Sequence, residues 1–325
     1  MIQIRDRLVT FAPPKQATYL IGDFTDWDER PLLIAEPLTL EFPQGAYVEY
    51  AFLDADMSPV PDSTNSEKPA NPWYDYHRCF TLPGNRFMTP PHPTTLRGKL
   101  SRHVLNPRAL AGQRTYYVYE PLISPTATVF VHNGEAYCAR LHFHEIVESL
   151  IEQKAIQPVR LVMLEPQDRK QDYWFNERYE AFFLEEVRPE IGDRYGKTLE
   201  EAQWGASLGG MVSIWLAWRN PHLFPKVASQ SGCFTADPQG GNYYHDREWL
   251  TEQLAHASHY PLRFFLQTGQ IEWLLAPNRR FAAMLAEKGY THSYQEFPSG
   301  HNWATWEQGL VPGLLYLFGA DMYHD

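Results

Sequence analysis

The feature that most constrains this chain is a change of pattern near residue 95. Before it, short β-rich runs such as VTFAP (9–13), ATYLIGDF (17–24) and GAYVEYAFLD (45–54) alternate with turn clusters, and helical periodicity is absent. Such spacing predicts a small antiparallel sandwich. Proline-dense polar stretches, PVPDSTNSEKPANPWYD (59–75) and TPPHPTTLRG (89–98), then read as a loop and a linker, because proline removes backbone donors and biases the preceding residue to extended backbone. After the linker, apolar strand-like runs (113–121, 127–134, 158–166, 226–232, 261–269 and 293–300) alternate with helical patterns at 175–191, 208–220, 278–289 and 303–319. Alternation at this spacing predicts an α/β fold, a mostly parallel sheet with helices on both faces. The expected domains are a β-sandwich over 1–95 and a larger α/β domain over 96–325. With 44% hydrophobic residues in 325, the chain has the material for a sizeable core in each.

Composition excludes several function classes. A net charge of −11 without a Lys/Arg-rich run argues against nucleic acid and anionic lipid as partners. No apolar run approaches a membrane span, and MIQIRDRLVTF lacks the apolar stretch of a secretory signal, so a cytoplasmic location is expected. Three widely spaced cysteines with no C-x-x-C fit a reducing compartment and argue against a disulfide framework or structural zinc. Oligomeric state is left open by the sequence.

The chemistry gathers at WGASLGG (204–210). A G-x-S-x-G pattern between a strand and a helix forms a sharp turn that lifts a serine hydroxyl above the sheet. TLEEAQWGA (198–206) supplies the strand and LGGMVSIWLAW the helix, which makes Ser207 a candidate nucleophile. A serine hydroxyl needs a histidine base and a carboxylate, here in the order serine, acid, histidine. His301, in PSGHNWATW between the last strand-like run and the final helix, is selected by position. Glu272, just past the strand PLRFFLQTG, is the preferred acid; Asp246 and Glu248 lie in a helical-looking stretch and read as a solvated helix start. The oxyanion calls for two backbone donors: the Leu208 amide at the helix start, and the Gly134 or Glu135 amide in the HNG turn that ends VFVHNGEAY. Trp273 and Trp303, beside the acid and the histidine, are candidates to line a substrate pocket. His142 and His144 lie two apart and do not share a helical face, so no metal is predicted, and the triad needs no cofactor.

These residues together resemble the enterochelin esterase branch of the esterase D-like α/β-hydrolases. The resemblance spreads over residues 98–318 and rests on RTYYVYEP, HNGEAY, DRKQDYWFNERYEAFFLEEVRPEI, GASLGGMVS, VASQSG, LQTGQIEWLLAPNRRFAAMLAEKG and SGHNWATW. It implies a serine ester hydrolase working through an acyl-enzyme, with Ser207 as nucleophile, His301 as base and Glu272 at the family's acid position. The implied substrate is a small-molecule ester, a siderophore trilactone of enterochelin type; acylated carbohydrates bearing feruloyl or acetyl esters are the alternative, and a non-catalytic carbohydrate- or siderophore-binding protein the third reading. A polyanionic siderophore would call on local cations, with Arg169, Arg279 and Arg280 as candidates. Three positions depart from the family pattern: Asn133 for an aspartate in the oxyanion turn, Ser299 for a second glycine, and Asn302 for an aspartate after the histidine. Asn133 is accordingly a candidate substrate-binding residue. The first 90 residues, through GDFTDWDERPL (22–32), resemble the immunoglobulin-like sandwich ahead of such esterases and of glycogen-debranching enzymes, with Trp27 and Trp73 as aromatic candidates for carbohydrate contact.

Overall fold

A computed structural model describes residues 2–69, 74–240 and 247–320. Its strands are β1 (Ile2–Arg5), β2 (Leu8–Phe11), β3 (Tyr19–Gly22), β4 (Leu32–Leu33), β5 (Leu38–Glu41), β6 (Tyr47–Leu53), β7 (Pro59–Val60) and β8 (Arg78–Thr81), then β9 (Lys99–Leu105), β10 (Arg114–Glu120), β11 (Ala127–His132), β12 (Val159–Leu164), β13 (Glu200–Ala206), β14 (Lys226–Gln230), β15 (Arg263–Gly269) and β16 (Thr291–Phe297). The helices are α1 (Gly134–Ala139), α2 (Phe143–Glu152), α3 (Arg169–Tyr173), α4 (Glu177–Phe182), α5 (Arg188–Tyr195), α6 (Leu208–Arg219), α7 (Trp249–His256), α8 (Leu275–Glu287), α9 (Trp303–Gln308) and α10 (Leu310–Phe318).

The chain divides into two compact units. One comprises Met1–Thr89, Thr268–Leu275 and Glu296–Gln308; the other comprises Pro90–Gln267, Ala276–Gln295 and Gly309–Asp325. The segments Thr268–Leu275 and Glu296–Gln308 thus group with the N-terminal residues, whereas the sequence places them inside a continuous 96–325 stretch. They are the segments that carry Glu272 and His301.

The first unit is built on two antiparallel sheets, β1-β2-β5 and β4-β3-β6-β7, with β8 paired to β6. Val9 and Phe11 from one sheet meet Leu20, Val48, Tyr50, Phe52 and Phe80 from the other in a single buried cluster. Phe11 sits edge-on to Tyr50 at 5.3 Å between ring centres, a geometry that matches ring edge to ring face. Ile271 of the Thr268–Leu275 segment packs against the same cluster, and the Tyr47 amide donates to the Pro298 carbonyl at 3.0 Å.

The second unit is organised by an eight-stranded sheet in the order β16-β15-β14-β13-β11-β12-β10-β9. The pairs β11–β12, β11–β13, β13–β14 and β14–β15 are parallel, whereas β10 is antiparallel to both β9 and β12. Every residue of β11, β12 and β14 is buried, including the polar Thr128, His132, Arg160, Ser229 and Gln230, as befits central strands covered on both faces. From β11 the chain moves to β12 on one side and returns to β13 on the other. The point where the direction of winding reverses therefore lies between β11 and β13. In open α/β sheets that crevice, at the carboxyl ends of the strands, is where ligands bind.

Of the expected helices, one is continuous but locally distorted and one is split. The 175–191 pattern forms α4, a wide-turned π segment at Phe183–Val187, and α5. The 303–319 pattern splits into α9 and α10 at Gly309. A β-carbon on Gly309 would lie 1.6 Å from Gln267 Oε1, so close packing requires the glycine. Cys79, Cys138 and Cys233 are buried and outside any disulfide. No helix among the described residues is long and apolar enough to cross a membrane.

Candidate active site

Ser207 stands where β13 ends and α6 begins, with φ 58° and ψ −123°. A non-glycine residue in that region is strained and persists only when its surroundings over-determine it. They do so here by sterics. A β-carbon on Gly205 would lie 2.3 Å from the Gly209 carbonyl oxygen, and one on Gly209 would lie 3.0 Å from Asn133 Nδ2. The Ser207 amide donates to the Gln230 carbonyl at 2.8 Å, and the Ser207 carbonyl accepts from the amides of Met211 (3.0 Å) and Cys233 (3.2 Å). The turn is thus pinned to the end of the neighbouring β14 and to the first turn of α6. Leu208, 1% exposed, is the first residue of α6, and an amide at that position has no acceptor within its helix.

The HNG turn lies at the carboxyl end of the adjacent strand. Asn133 has φ 71°, the left-handed conformation that asparagine tolerates better than most residues. Its amide donates to the Tyr173 hydroxyl at 3.0 Å and its side-chain NH2 to the Ala206 carbonyl at 3.1 Å. The carboxamide therefore ties the HNG turn to the residue before Ser207, which an ionised aspartate, having no donor, would not do. At 6% exposure and with that partner, Asn133 is a brace between two turns. Gly134 opens α1, and a β-carbon there would lie 2.3 Å from the Met163 carbonyl carbon. Neither of the two amides weighed as second oxyanion donor, Gly134 and Glu135, has an acceptor inside its own helix; that of Glu135 donates to Glu165 Oε2 at 2.8 Å.

The titration of nearby groups follows from burial. Burial pushes the Glu165 carboxyl up to about 7, with the Glu135 charge adding to the rise and the Glu135 amide opposing it. His132, fully buried, bridges Tyr179 OH (2.9 Å from Nδ1) and Gln203 Oε1 (2.9 Å from Nε2). Burial depresses its pKa to about 4, which keeps the ring neutral beneath the turn. Tyr173, Tyr179 and Gln203 escaped the sequence reading, since buried polar partners of a strand end carry no local signature.

In the first unit, Glu272 and His301 form a pair. Glu272 Oε2 is hydrogen-bonded to His301 Nδ1. Its other oxygen accepts from the Gly269 amide at 2.6 Å and the Thr268 hydroxyl at 2.9 Å. The carboxylate is thus held by its own strand end with its side chain 0% exposed, against 12% for His301. A carboxylate on Nδ1 selects the tautomer that leaves Nε2 to accept a proton. The ring is walled by Trp273 (centres 4.6 Å apart) and Trp306 (5.0 Å, edge-on). Trp303 stacks edge-on to Trp306 at 4.6 Å and stands one ring removed from the histidine. Trp306, not among the tryptophans singled out from sequence as pocket-lining, forms this second wall.

Glu248 pairs with the Arg280 guanidinium, which engages both a rival acid and one of the candidate cations. Arg169 opens α3. Trp27 stacks on the buried His77 at 4.1 Å, with Tyr74 stacked on the same ring at 4.8 Å. One face of Trp27 is therefore spent on packing. Asp246 and Trp73 lie outside the described residues.

The family described as "Putative esterase" matches residues 108–317. The chain belongs to that family. Among curated relatives, the iron(III) enterobactin esterase of Escherichia coli (strain K12) is 24% identical over 205 residues, 59% of this chain and 50% of that protein. The chain thus aligns with half the length of that relative. Among solved structures, the enterobactin esterase of Shigella flexneri, in the presence of enterobactin, superposes with a TM-score of 0.74 at 16% identity, covering 98% of this chain and 95% of that one. A ferulic acid esterase of the anaerobic fungus Anaeromyces mucronatus superposes at 0.55 with 15% identity, covering 69% and 91%. At these identities the structural likeness carries the fold, which for the first covers nearly the whole chain and for the second about two thirds.

Proposed function

We propose that the protein is a serine carboxylic ester hydrolase acting through an acyl-enzyme. Ser207 attacks the ester carbonyl, His301 takes its proton through Nε2 and returns it to the leaving alcohol, and Glu272 holds the imidazolium. The amides of Leu208 and Gly134 receive the oxyanion; Glu135 is set aside because its amide is engaged by Glu165. The observation that carries the reading is the strained, sterically enforced turn at Ser207 in a chain of an esterase family. The Glu272–His301 hydrogen bond supports it independently.

The substrate reading is a siderophore trilactone of enterochelin type. It is favoured by the curated relative named for iron(III) enterobactin and by a likeness to enterobactin esterase structures that includes the N-terminal unit. The second reading, feruloyl or acetyl esters on carbohydrate, is favoured by the ferulic acid esterase likeness, which covers 69% of this chain. In the same reading the N-terminal sandwich is immunoglobulin-like and the protein works in the cytoplasm.

The test uses a fluorophosphonate probe and a panel of p-nitrophenyl acyl esters, feruloyl esters and a catecholate trilactone. Wild type is expected to label and turn over. Ser207→Ala should not label, and its rate should drop by about 10³-fold or more. Equal rates for wild type and Ser207→Ala would overturn the nucleophile assignment, and absence of labelling in wild type would favour the binding-only reading.

A further inference from the structure

The loop that carries His301 is held on both sides of the histidine by one side chain from the N-terminal sandwich. Asp23 follows β3 in a short 3-10 turn and is 1% exposed. Its Oδ2 accepts two hydrogen bonds, from the Glu49 amide at 2.8 Å and from Asn302 Nδ2 at 2.9 Å. Its Cβ, Cγ and Oδ1 fill the space beside Gly300, where an added β-carbon would lie 2.2, 2.3 and 2.4 Å from them. Gly300 and Asn302 are the residues on either side of His301.

Asn302 passes the constraint on. Its side-chain oxygen accepts the Thr305 amide at 2.9 Å, at the first turn of α9, while the Thr305 hydroxyl donates to the Gly300 carbonyl at 2.7 Å. The Tyr47 amide on the Pro298 carbonyl fixes the start of the loop. Glu272 reaches the imidazole ring itself at Nδ1, whereas the Asp23 carboxyl touches the residues on either side of it. Asp23 Oδ1 is buried without a hydrogen-bond partner, and burial, with the Glu49 charge beside it, raises the Asp23 carboxyl well above the ordinary range, so the polar link to Asn302 runs through Oδ2 alone.

We propose that Asp23 is a positioning residue for His301, acting through its hydrogen bond to Asn302 and its packing against Gly300. The sandwich thereby becomes part of the machinery that presents the base, whatever ester is bound. This rests on the triad reading above. A misplacement of about 1 Å at a catalytic group is enough to cost about 100-fold in rate, and the loss falls on kcat when ground-state binding is untouched.

The full-length protein is assayed on a p-nitrophenyl ester, with rates normalised to active sites titrated by the fluorophosphonate. Asp23→Ala is expected to lower kcat by about 10- to 100-fold with KM changed by less than about threefold. Asp23→Asn, whose side-chain oxygen accepts the same two hydrogen bonds, should recover most of that loss. A general loss of stability would shrink the titratable fraction and leave the normalised kcat alone. Should Asp23→Ala fail to fold, Asn302→Ala removes the donor instead and should show the same kcat loss. Wild-type normalised kcat in whichever of the two alanine variants folds, or no recovery in Asp23→Asn, overturns the proposal. His301→Ala separates the two readings. If it too retains wild-type rate, the triad assignment has failed; if it is inactive while Asp23→Ala is not, only the positioning role has.

Discussion

Glu165→Gln is expected to stabilise the protein, and to do so only above mildly acidic pH. Glu165 is half-buried behind the HNG turn and accepts the Glu135 amide at 2.8 Å; a glutamine in its place would keep an acceptor oxygen for that bond. Burial raises the carboxyl from an ordinary value of 4.5 to about 7. A raised carboxyl means that the native state holds its proton more tightly than the unfolded chain. Native stability is therefore lost as pH climbs from 4.5 to about 7 and is constant above and below that window. About two and a half pH units at about 1.36 kcal/mol each give about 3 kcal/mol in full, and about 2 kcal/mol once water reaching the exposed part of the side chain is allowed for. Glutamine has no charge to desolvate. The difference between variant and wild type should thus be near zero at about pH 4.5, open through about pH 7, and stay level to about pH 8.5. Urea unfolding of both proteins at closely spaced pH values reads it, and taking the difference removes the contribution of His132, whose depressed pKa acts in the opposite direction over an overlapping range. A gap that is independent of pH, or that closes as pH rises, would refute the burial argument.

Asn133→Asp puts a carboxylate oxygen where an NH2 donates to the Ala206 carbonyl at 3.1 Å. The variant should lose about 3 kcal/mol near about pH 8, where the buried carboxylate has no donor, and about 1 kcal/mol near about pH 4.5, where its protonated form donates to the same carbonyl; urea unfolding at the two pH values checks this. Gly205→Ala forces a β-carbon to 2.3 Å from the Gly209 carbonyl oxygen, which is backbone and cannot rotate away, whereas Gly210→Ala meets the Ser229 hydroxyl first, at 2.6 Å. The first substitution should abolish fluorophosphonate labelling or soluble yield, and the second should retain labelling at a cost of about 1–3 kcal/mol in melting experiments.

What the sequence disclosed and what it hid divide along a physical line. β10 to β12 and β14 to β16 were legible as runs bounded by turn residues, β13 less clearly, whereas the half-exposed β9 was missed; the G-x-S-x-G motif was legible because its steric demand is met within five residues. The order Ser207, Glu272, His301 followed from strand ends. Strands of two residues, such as β4 and β7, present too few positions for any period to show. The split between α9 and α10 is set by Gln267 of β15, far back in the chain, so the local apolar pattern ran through it unbroken. The grouping of 268–275 and 296–308 with the N-terminal unit was invisible for the same reason. Asp23 and Asn302 stand 279 residues apart, and nothing in GDFTDW announces a partner beyond its own turn.

The two halves of the candidate machinery are therefore built by different physics, and they should tolerate change differently. At Ser207 the geometry is imposed by backbone against backbone: glycines 205 and 209, the Gln230 carbonyl, the first turn of α6. Contacts of that kind have no soft response, so substitutions there act as a threshold on whether the turn forms at all. At His301 close packing at Gly269 and Gly300 is joined by side-chain hydrogen bonds in series, from Thr268 and Gly269 to Glu272 to the ring, and from Asp23 to Asn302 around its backbone. Each of these bonds is worth on the order of 1 kcal/mol and those made by side chains have near-isosteric replacements, so that half permits graded adjustment of rate through Thr268, Glu272, Asp23 and Asn302. Divergence in rate among chains sharing this arrangement should then concentrate around the base and its carboxylates, while the turn that presents the nucleophile stays sterically invariant.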